Sequence, residues 1–199
     1  MAGAHRGAVV PSPLPERVER YGVVVRRWEA DDAPALHAAV LANLEHLRPF
    51  MPWVAHEPLS LQQRRALIEG WTVEWAGGGD LTVGIWRGDR VLGSAGLHRR
   101  LGPDGLEIGY WVDRDHLRQG VATAAARALT DLAFTVPGIE RVRICHDADD
   151  AASARVPARL GYLCLRDSPA AVPEAAAGPG EQRVWIVTRD QWATTAHRS

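Results

Sequence analysis

Beginning at Tyr21, short apolar runs alternate with stretches in which apolar residues recur every third or fourth position, the respective signatures of strand and amphipathic helix. VVVRRW (23–28) reads as a strand, and Asp31 and Asp32 stand where they would cap a helix carrying Leu36, Val40, Leu44 and Leu47 on one face. Ser60 is placed to cap a second helix with Leu67, Ile68 and Trp71, which should end by the glycines 77–79. LTVGIWRGDRVLGSAGL (81–97) is apolar on both sides of Gly88-Asp89 and predicts a β-hairpin. LEIGYWV (106–112) then predicts a strand, followed by a helix to about Phe134, the strand ERVRICHD (140–147), a helix capped by Asp150, and the strands YLCLRD and RVWIVTR. This order describes a mixed α/β domain, hairpin-rich in its first half and built of βαβ units in its second.

Two stretches lack such periodicity. Residues 1–20 carry prolines at 11, 13 and 15 and read as a flexible N-terminal arm, and 168–182, rich in Ala, Pro and Gly, reads as a flexible loop within a single domain spanning 21–199.

Composition narrows the chemistry. A formal charge of −1 with pI near 6.7 provides no basic field for duplex nucleic acid. The chain has no lysine, which excludes a Schiff-base lysine and a GK[ST] phosphate loop. Cys145 and Cys164 form no CxxC pair and are expected to be reduced core thiols of a cytoplasmic protein. With no h-region at the N-terminus and no apolar run of ~18 residues, neither secretion by a standard signal nor a membrane span is expected. His98, His116 and His146 lack metal-ligand spacing, and HDADD (146–150) lacks the glycine and glutamate of a calcium loop, so no metal is expected.

The segment HLRQGVATAAARAL (116–129) sets a glycine in a polar turn directly before an alanine-rich helix. A helix start exposes unpaired N–H groups at the positive end of its dipole, so such a turn suits an anion, phosphate above all. Gly120 removes a Cβ from the path of approach, Ala122 keeps the next turn small and Thr123 adds a hydroxyl donor. Val121, Ala125, Ala128, Leu129 and Leu132 give the helix its packing face. A plain strand-to-helix connection would also use a glycine here, so the segment gains meaning from its neighbours.

EIGYWVDRDHLRQGVATAAARAL, followed by a strand, DDAAS and RLGY, resembles the GNAT superfamily of N-acetyltransferases, especially the branch containing the ribosomal-protein N-terminal acetyltransferases. The resemblance covers roughly Val23 to Arg189 and includes LRPFMPW (47–53), similar to that branch's substrate-side loop. It implies a mostly antiparallel sheet with one splayed parallel strand pair, flanked by helices. It also implies acetyl-CoA, with its pyrophosphate on Arg118, Gln119, Gly120, Val121, Ala122 and Thr123 and its pantetheine arm along Tyr110, Trp111 and Val112. Leu117 departs from the polar first position of the family's phosphate motif, and Asp150 stands where the family carries asparagine.

Acetyl transfer to an amine requires a proton acceptor, oxyanion stabilisation and a proton for the thiolate. Glu107 shares a strand face with Gly109 and Trp111 and is the candidate base, with a structural ion pair to an arginine as the competing role. Ser153 matches the family's serine near the cofactor sulfur, against the alternative of an ordinary first-turn residue; it and Asp150 complete the expected cofactor contacts. Tyr162 is a second acid candidate that also reads as a packing aromatic, and Pro157 should kink the helix carrying Ser153 unless that helix ends nearby. Phe50, Met51 and Trp53 are candidates for an apolar substrate wall. The expected activity is transfer from acetyl-CoA, or another acyl-CoA, to a protein N-terminus or small-molecule amine, by a monomer or homodimer. The alternatives are a non-catalytic CoA-binding sensor or scaffold, and an acyltransferase with an unusual donor.

Overall fold

A computed structural model describes residues 14–165 and 182–196. Eight strands form one sheet in the order β1-β2-β3-β4-β5-β6-β8-β7. In chain order these are β1 (Arg17–Arg20), β2 (Val23–Arg27), β3 (Leu81–Arg87), β4 (Arg90–His98), β5 (Gly105–Val112), β6 (Arg141–Asp147), β7 (Leu163–Leu165) and β8 (Gln182–Thr188). Every neighbouring pair is antiparallel except β5 and β6, which run parallel. Helices α1 (Ala33–Leu47) and α2 (Leu61–Ala76) cover one face. The other carries α3 (Val121–Ala133), α4 (Ala151–Arg159) and α5 (Arg189–Ala196). The hairpin-rich first half and the two βαβ units of the second are therefore as the periodicity predicts, with β8 inserted between the parallel strands β6 and β7.

Two local readings are corrected, and one helix is added. Of the arm expected over 1–20, residues 1–13 lie outside the described residues, while Arg17–Arg20 pairs with β2 through a tight turn at Tyr21 and Gly22, both with positive φ (56° and 75°). RVER carries a single apolar residue, too little alternation to announce an edge strand. Asp31 and Asp32 do not cap α1 with their side chains. They belong to a 3-10 turn in which Asp32 accepts the Glu29 amide and both guanidinium nitrogens of Arg26 at 2.6 and 2.8 Å. Finally, α5 follows β8 directly. Its start is marked by a reciprocal pair, the Gln191 side chain accepting from the Thr188 amide while the Thr188 hydroxyl accepts from Gln191. The loop expected over 168–182 lies outside the described residues apart from Gln182, which opens β8.

Elsewhere the local chemistry matches. Ser60 and Gln63 form a capping box at α2, which ends on Gly77. Gly88 turns β3 into β4 with φ 57°. Small residues at Ala125, Ala126, Ala128 and Ala133 bring α3 close against β4 and β5, around Leu129.

Several carboxylates hold this framework and set its response to acid. For Asp32, burial works upward, but the Arg26 hydrogen bonds and the Glu29 amide outweigh it and hold its pKa below the ordinary value. For Asp113, burial likewise works upward and is outweighed by the Asp115 amide, Asn43 and His116. A group whose folded pKa is depressed contributes stability above its unfolded value and loses it as pH falls through the folded one. Thermal stability is therefore expected to fall once the pH drops below roughly 4. Asp32→Asn should melt below the parent at neutral pH and converge with it near pH ~2, as melting curves across that range would show.

Candidate active site

β5 and β6 pair only from Gly105↔Arg141 to Ile108↔Ile144. Beyond Ile108 the two strands part, β5 staying with β4 as far as Val112 and β6 with β8 as far as Asp147. A wedge thus opens at Gly109, with unpaired β5 backbone on one side. A cavity of about 830 Å³ runs into it.

The cavity begins among Phe50, Met51 and Trp53 on the α1–α2 connection. Trp53 and Trp111 meet there with ring centroids 6.4 Å apart. It crosses Glu107, Gly109 and Trp111 on one face of β5 and emerges past Tyr110 to Asp150 and Ser153 at the start of α4. Candidates spread over a hundred residues of sequence therefore share one space. Val112 and residues 118–123 do not line it; Val112 and Val121 are buried in the core that packs against α3.

At that turn, Arg118 (φ 59°) and Gly120 (φ 78°) both adopt the left-handed region, and Gly120 is the residue from which α3 departs. None of the amides from Arg118 to Thr123 has an acceptor among the described residues; the first bond of the helix is Ala124 N–H to the Gly120 carbonyl. A Cβ built on Gly120 would meet nothing within 4 Å, so the space above this row of donors is open. The turn is braced from behind. Asn43 of α1 donates to Asp113 at 3.2 Å and accepts from the Arg114 amide at 2.8 Å.

Glu107 is buried (6% exposed), and its carboxylate accepts from Arg143 Nε and a terminal guanidinium nitrogen at 2.9 and 2.6 Å. Arg143 is itself 1% exposed, and Arg100 approaches the other carboxylate oxygen at 3.5 Å. The Cys145 thiol points to the same carboxylate at 3.7 Å, and burial, then the charge of Glu107, pushes it up to about 12. Both cysteines are free and half-buried rather than core residues, and Cys145 lines the cavity.

Asp150 caps α4 by accepting the Ala152 and Ser153 amides at 3.1 and 2.9 Å. Pro157 does not break the helix, because α4 ends at Arg159. Its missing N–H does leave the Ser153 carbonyl without a helical donor, and the Tyr110 hydroxyl approaches that carbonyl at 3.4 Å. Burial, first of all, holds the Tyr110 phenol well above its usual range, so it stays protonated at neutral pH. The Ser153 hydroxyl has no partner among the described residues. Tyr162 shares a hydrogen bond with Thr130 at 2.7 Å, is 4% exposed, packs edge-on against Trp192 and does not line the cavity.

One part of the site escaped the sequence. His98, at the end of β4, lines the cavity and stands directly opposite Glu107 in the β4–β5 register. Its Nδ1 lies 2.7 Å from Asp80, a pairing across 18 positions that no local motif announces.

Residues 23–163 match the model of the acetyltransferase (GNAT) domain. The chain belongs to the GNAT acetyltransferase family. Among its relatives, "Putative ribosomal N-acetyltransferase YdaF" of Bacillus subtilis is 27% identical over 142 residues, 71% of this chain and 78% of that protein. Two solved structures share the fold. RimL, a ribosomal L7/L12 alpha-N-protein acetyltransferase in complex with coenzyme A, superposes with a TM-score of 0.74 at 21% identity, covering 88% of this chain and 99% of that one. Mycobacterium smegmatis RimJ, in complex with a CoA disulfide, gives the same TM-score at 22% identity, covering 88% and 87%.

Proposed function

We propose that this GNAT domain moves an acetyl group from acetyl-CoA to a primary amine, in the first instance the N-terminus of a protein, and that it does so in the cytoplasm. The observation that carries the reading is the wedge between β5 and β6, with a single cavity joining it to the Trp53 wall. The wedge supplies unpaired strand backbone for an extended amide-containing arm, and the 118–123 amides supply donors for a diphosphate at its outer end. Acetyl-CoA provides a thioester whose acyl carbon accepts the amine. The naming of RimL as an L7/L12 alpha-N-protein acetyltransferase supports a protein N-terminus as acceptor.

The roles of this chain's residues follow from their places. The amides of Arg118 to Thr123 fix the diphosphate, so the reactive sulfur has a defined reach into the wedge. Tyr110, Trp111 and Val112 flank the arm, and a main-chain N–H among them is aimed where negative charge develops on the acyl oxygen. The unpartnered Ser153 hydroxyl faces the same opening and is placed to give a proton to the departing thiolate. Asp150 holds the first turn of α4, and hence Ser153, in position. Phe50, Met51 and Trp53 exclude water around the incoming amine. Glu107, held by Arg143 with Arg100 against its other oxygen, anchors the cavity wall beside the place of the incoming amine.

The test is release of free thiol from acetyl-CoA in the presence of peptides with free N-termini and of small amines. Turnover at least ~100-fold over the blank with one of them is expected, the scale of a single positioned acid–base group. Blank-level release across a broad panel, together with tight CoA binding by calorimetry, would instead describe a protein that binds the nucleotide without turnover.

A further inference from the structure

Resting on that reading, we infer that His98 is the proton acceptor for the incoming amine and that Asp80 fixes the tautomer that makes it one. The His98 ring is held from behind. Asp80 accepts from Nδ1 at 2.7 Å with one carboxylate oxygen and from the Arg99 amide at 2.8 Å with the other, so the carboxylate cannot swing away without losing both. With Nδ1 donating to a carboxylate, Nε2 is the ring nitrogen left to accept a proton. Among the described residues Nε2 has no hydrogen-bond partner, and the ring lines the cavity.

The floor beneath it is made for that ring. Gly96 and Gly109 are direct partners in the β4–β5 register. A Cβ on Gly96 would lie 2.9 Å from His98 Nε2, and one on Gly109 would lie 3.4 Å from the same atom. Two facing glycines thus clear the sheet surface so that Nε2 rests over Gly109, the first β5 residue past the last β5–β6 pair. That is the mouth of the wedge, where amine and thioester must meet.

Several other charged groups facing this place are already engaged. From β5, Glu107 is held by Arg143, with Arg100 against its other oxygen. From the α1–α2 connection, Glu57 is bound to Arg64 of α2 at 2.7 Å, and His56 also lines the cavity. On β6, His146 donates or accepts at both ring nitrogens, to the Asp147 carbonyl at 2.7 Å and from Trp185 at 2.9 Å. His98 offers Nε2, without a hydrogen-bond partner among the described residues, over Gly109 at the mouth.

The step balances as follows. An N–H bond of the ammonium breaks, its electron pair stays on nitrogen and the proton goes to Nε2. The freed pair forms the C–N bond as the C–S bond of the thioester breaks, and a second proton from the amine, through the Ser153 hydroxyl, neutralises the thiolate. The imidazolium, stabilised by Asp80, returns its proton to water.

The experiment compares parent, His98→Gln, His98→Ala and Asp80→Asn, each checked by thermal melting. In the parent, kcat/KM should climb with pH as the proton acceptor of the site loses its proton. His98→Gln and His98→Ala should lower kcat by about 10²- to 10³-fold and erase that climb, with CoA affinity unchanged by calorimetry. Added imidazole should restore part of the His98→Ala rate. Asp80→Asn should lower kcat by about 10²-fold while leaving the ring in place. A His98 variant within threefold of the parent and with the same pH profile would overturn the assignment. A second readout is independent of turnover, so a chain that bound CoA but acetylated nothing would sink the function and still test the dyad. Nitrogen chemical shifts of His98 in the parent should show the proton on Nδ1, and a ring protonated on Nε2 would refute it.

Discussion

Gly120→Leu is expected to weaken coenzyme A binding by about 100-fold while the protein still folds. The position has φ 78°, a region in which an L-residue costs roughly 1–2 kcal/mol, so melting should drop by only a few degrees. A Cβ there meets nothing of the protein within 4 Å, so the new side chain has room and projects into the open space above the 118–123 amides. That space is where the diphosphate is proposed to sit. Charge-assisted hydrogen bonds contribute about 1.5–3 kcal/mol each, so displacing the anion from one or two of them accounts for the factor. Calorimetric titration with CoA alongside a melt separates the two effects. An unchanged affinity would move the nucleotide to another part of the surface.

Glu107→Ala is expected to destabilise the fold by about 3–5 kcal/mol, because it leaves the Arg143 guanidinium, 2% exposed, with no counter-charge. Replacing both members together, as in Glu107→Met with Arg143→Leu, should recover most of that loss, since two apolar side chains of similar bulk incur no desolvation penalty. Chemical denaturation of the parent, both single variants and the double variant gives the cycle directly. An additive double variant, no more stable than the sum of the singles, would show that the pair is not coupled. The result also bears on chemistry: a residue whose removal mainly unfolds the protein anchors the cavity wall, whereas one whose removal mainly slows turnover takes part in the reaction.

Much of this was readable from sequence because the informative features are local. Ser60 with Gln63, Gly88 at the hairpin and the Gly120 helix start each declare themselves within a few residues. Strand alternation placed Glu107 and Trp111 on one face of β5, and both line the cavity. What stayed hidden depends on register between distant segments. That His98 faces Glu107, and that Gly96 faces Gly109, follows from how β4 and β5 align, which neither strand encodes alone. Asp80 reaches His98 only because β3 and β4 fold back on each other. Two more misreadings have the same origin. Asp32 looks like a helix cap until Arg26, six residues upstream on β2, claims its carboxylate. RVER looks like loose chain until β2 offers it an edge.

Pro157 supplies a last point. By withholding one amide from α4 it leaves a carbonyl for the Tyr110 phenol, and so tethers the helix to a strand that has already left its neighbour. A substitution that restored an amide at 157 would give the Ser153 carbonyl a helical donor and compete with that contact.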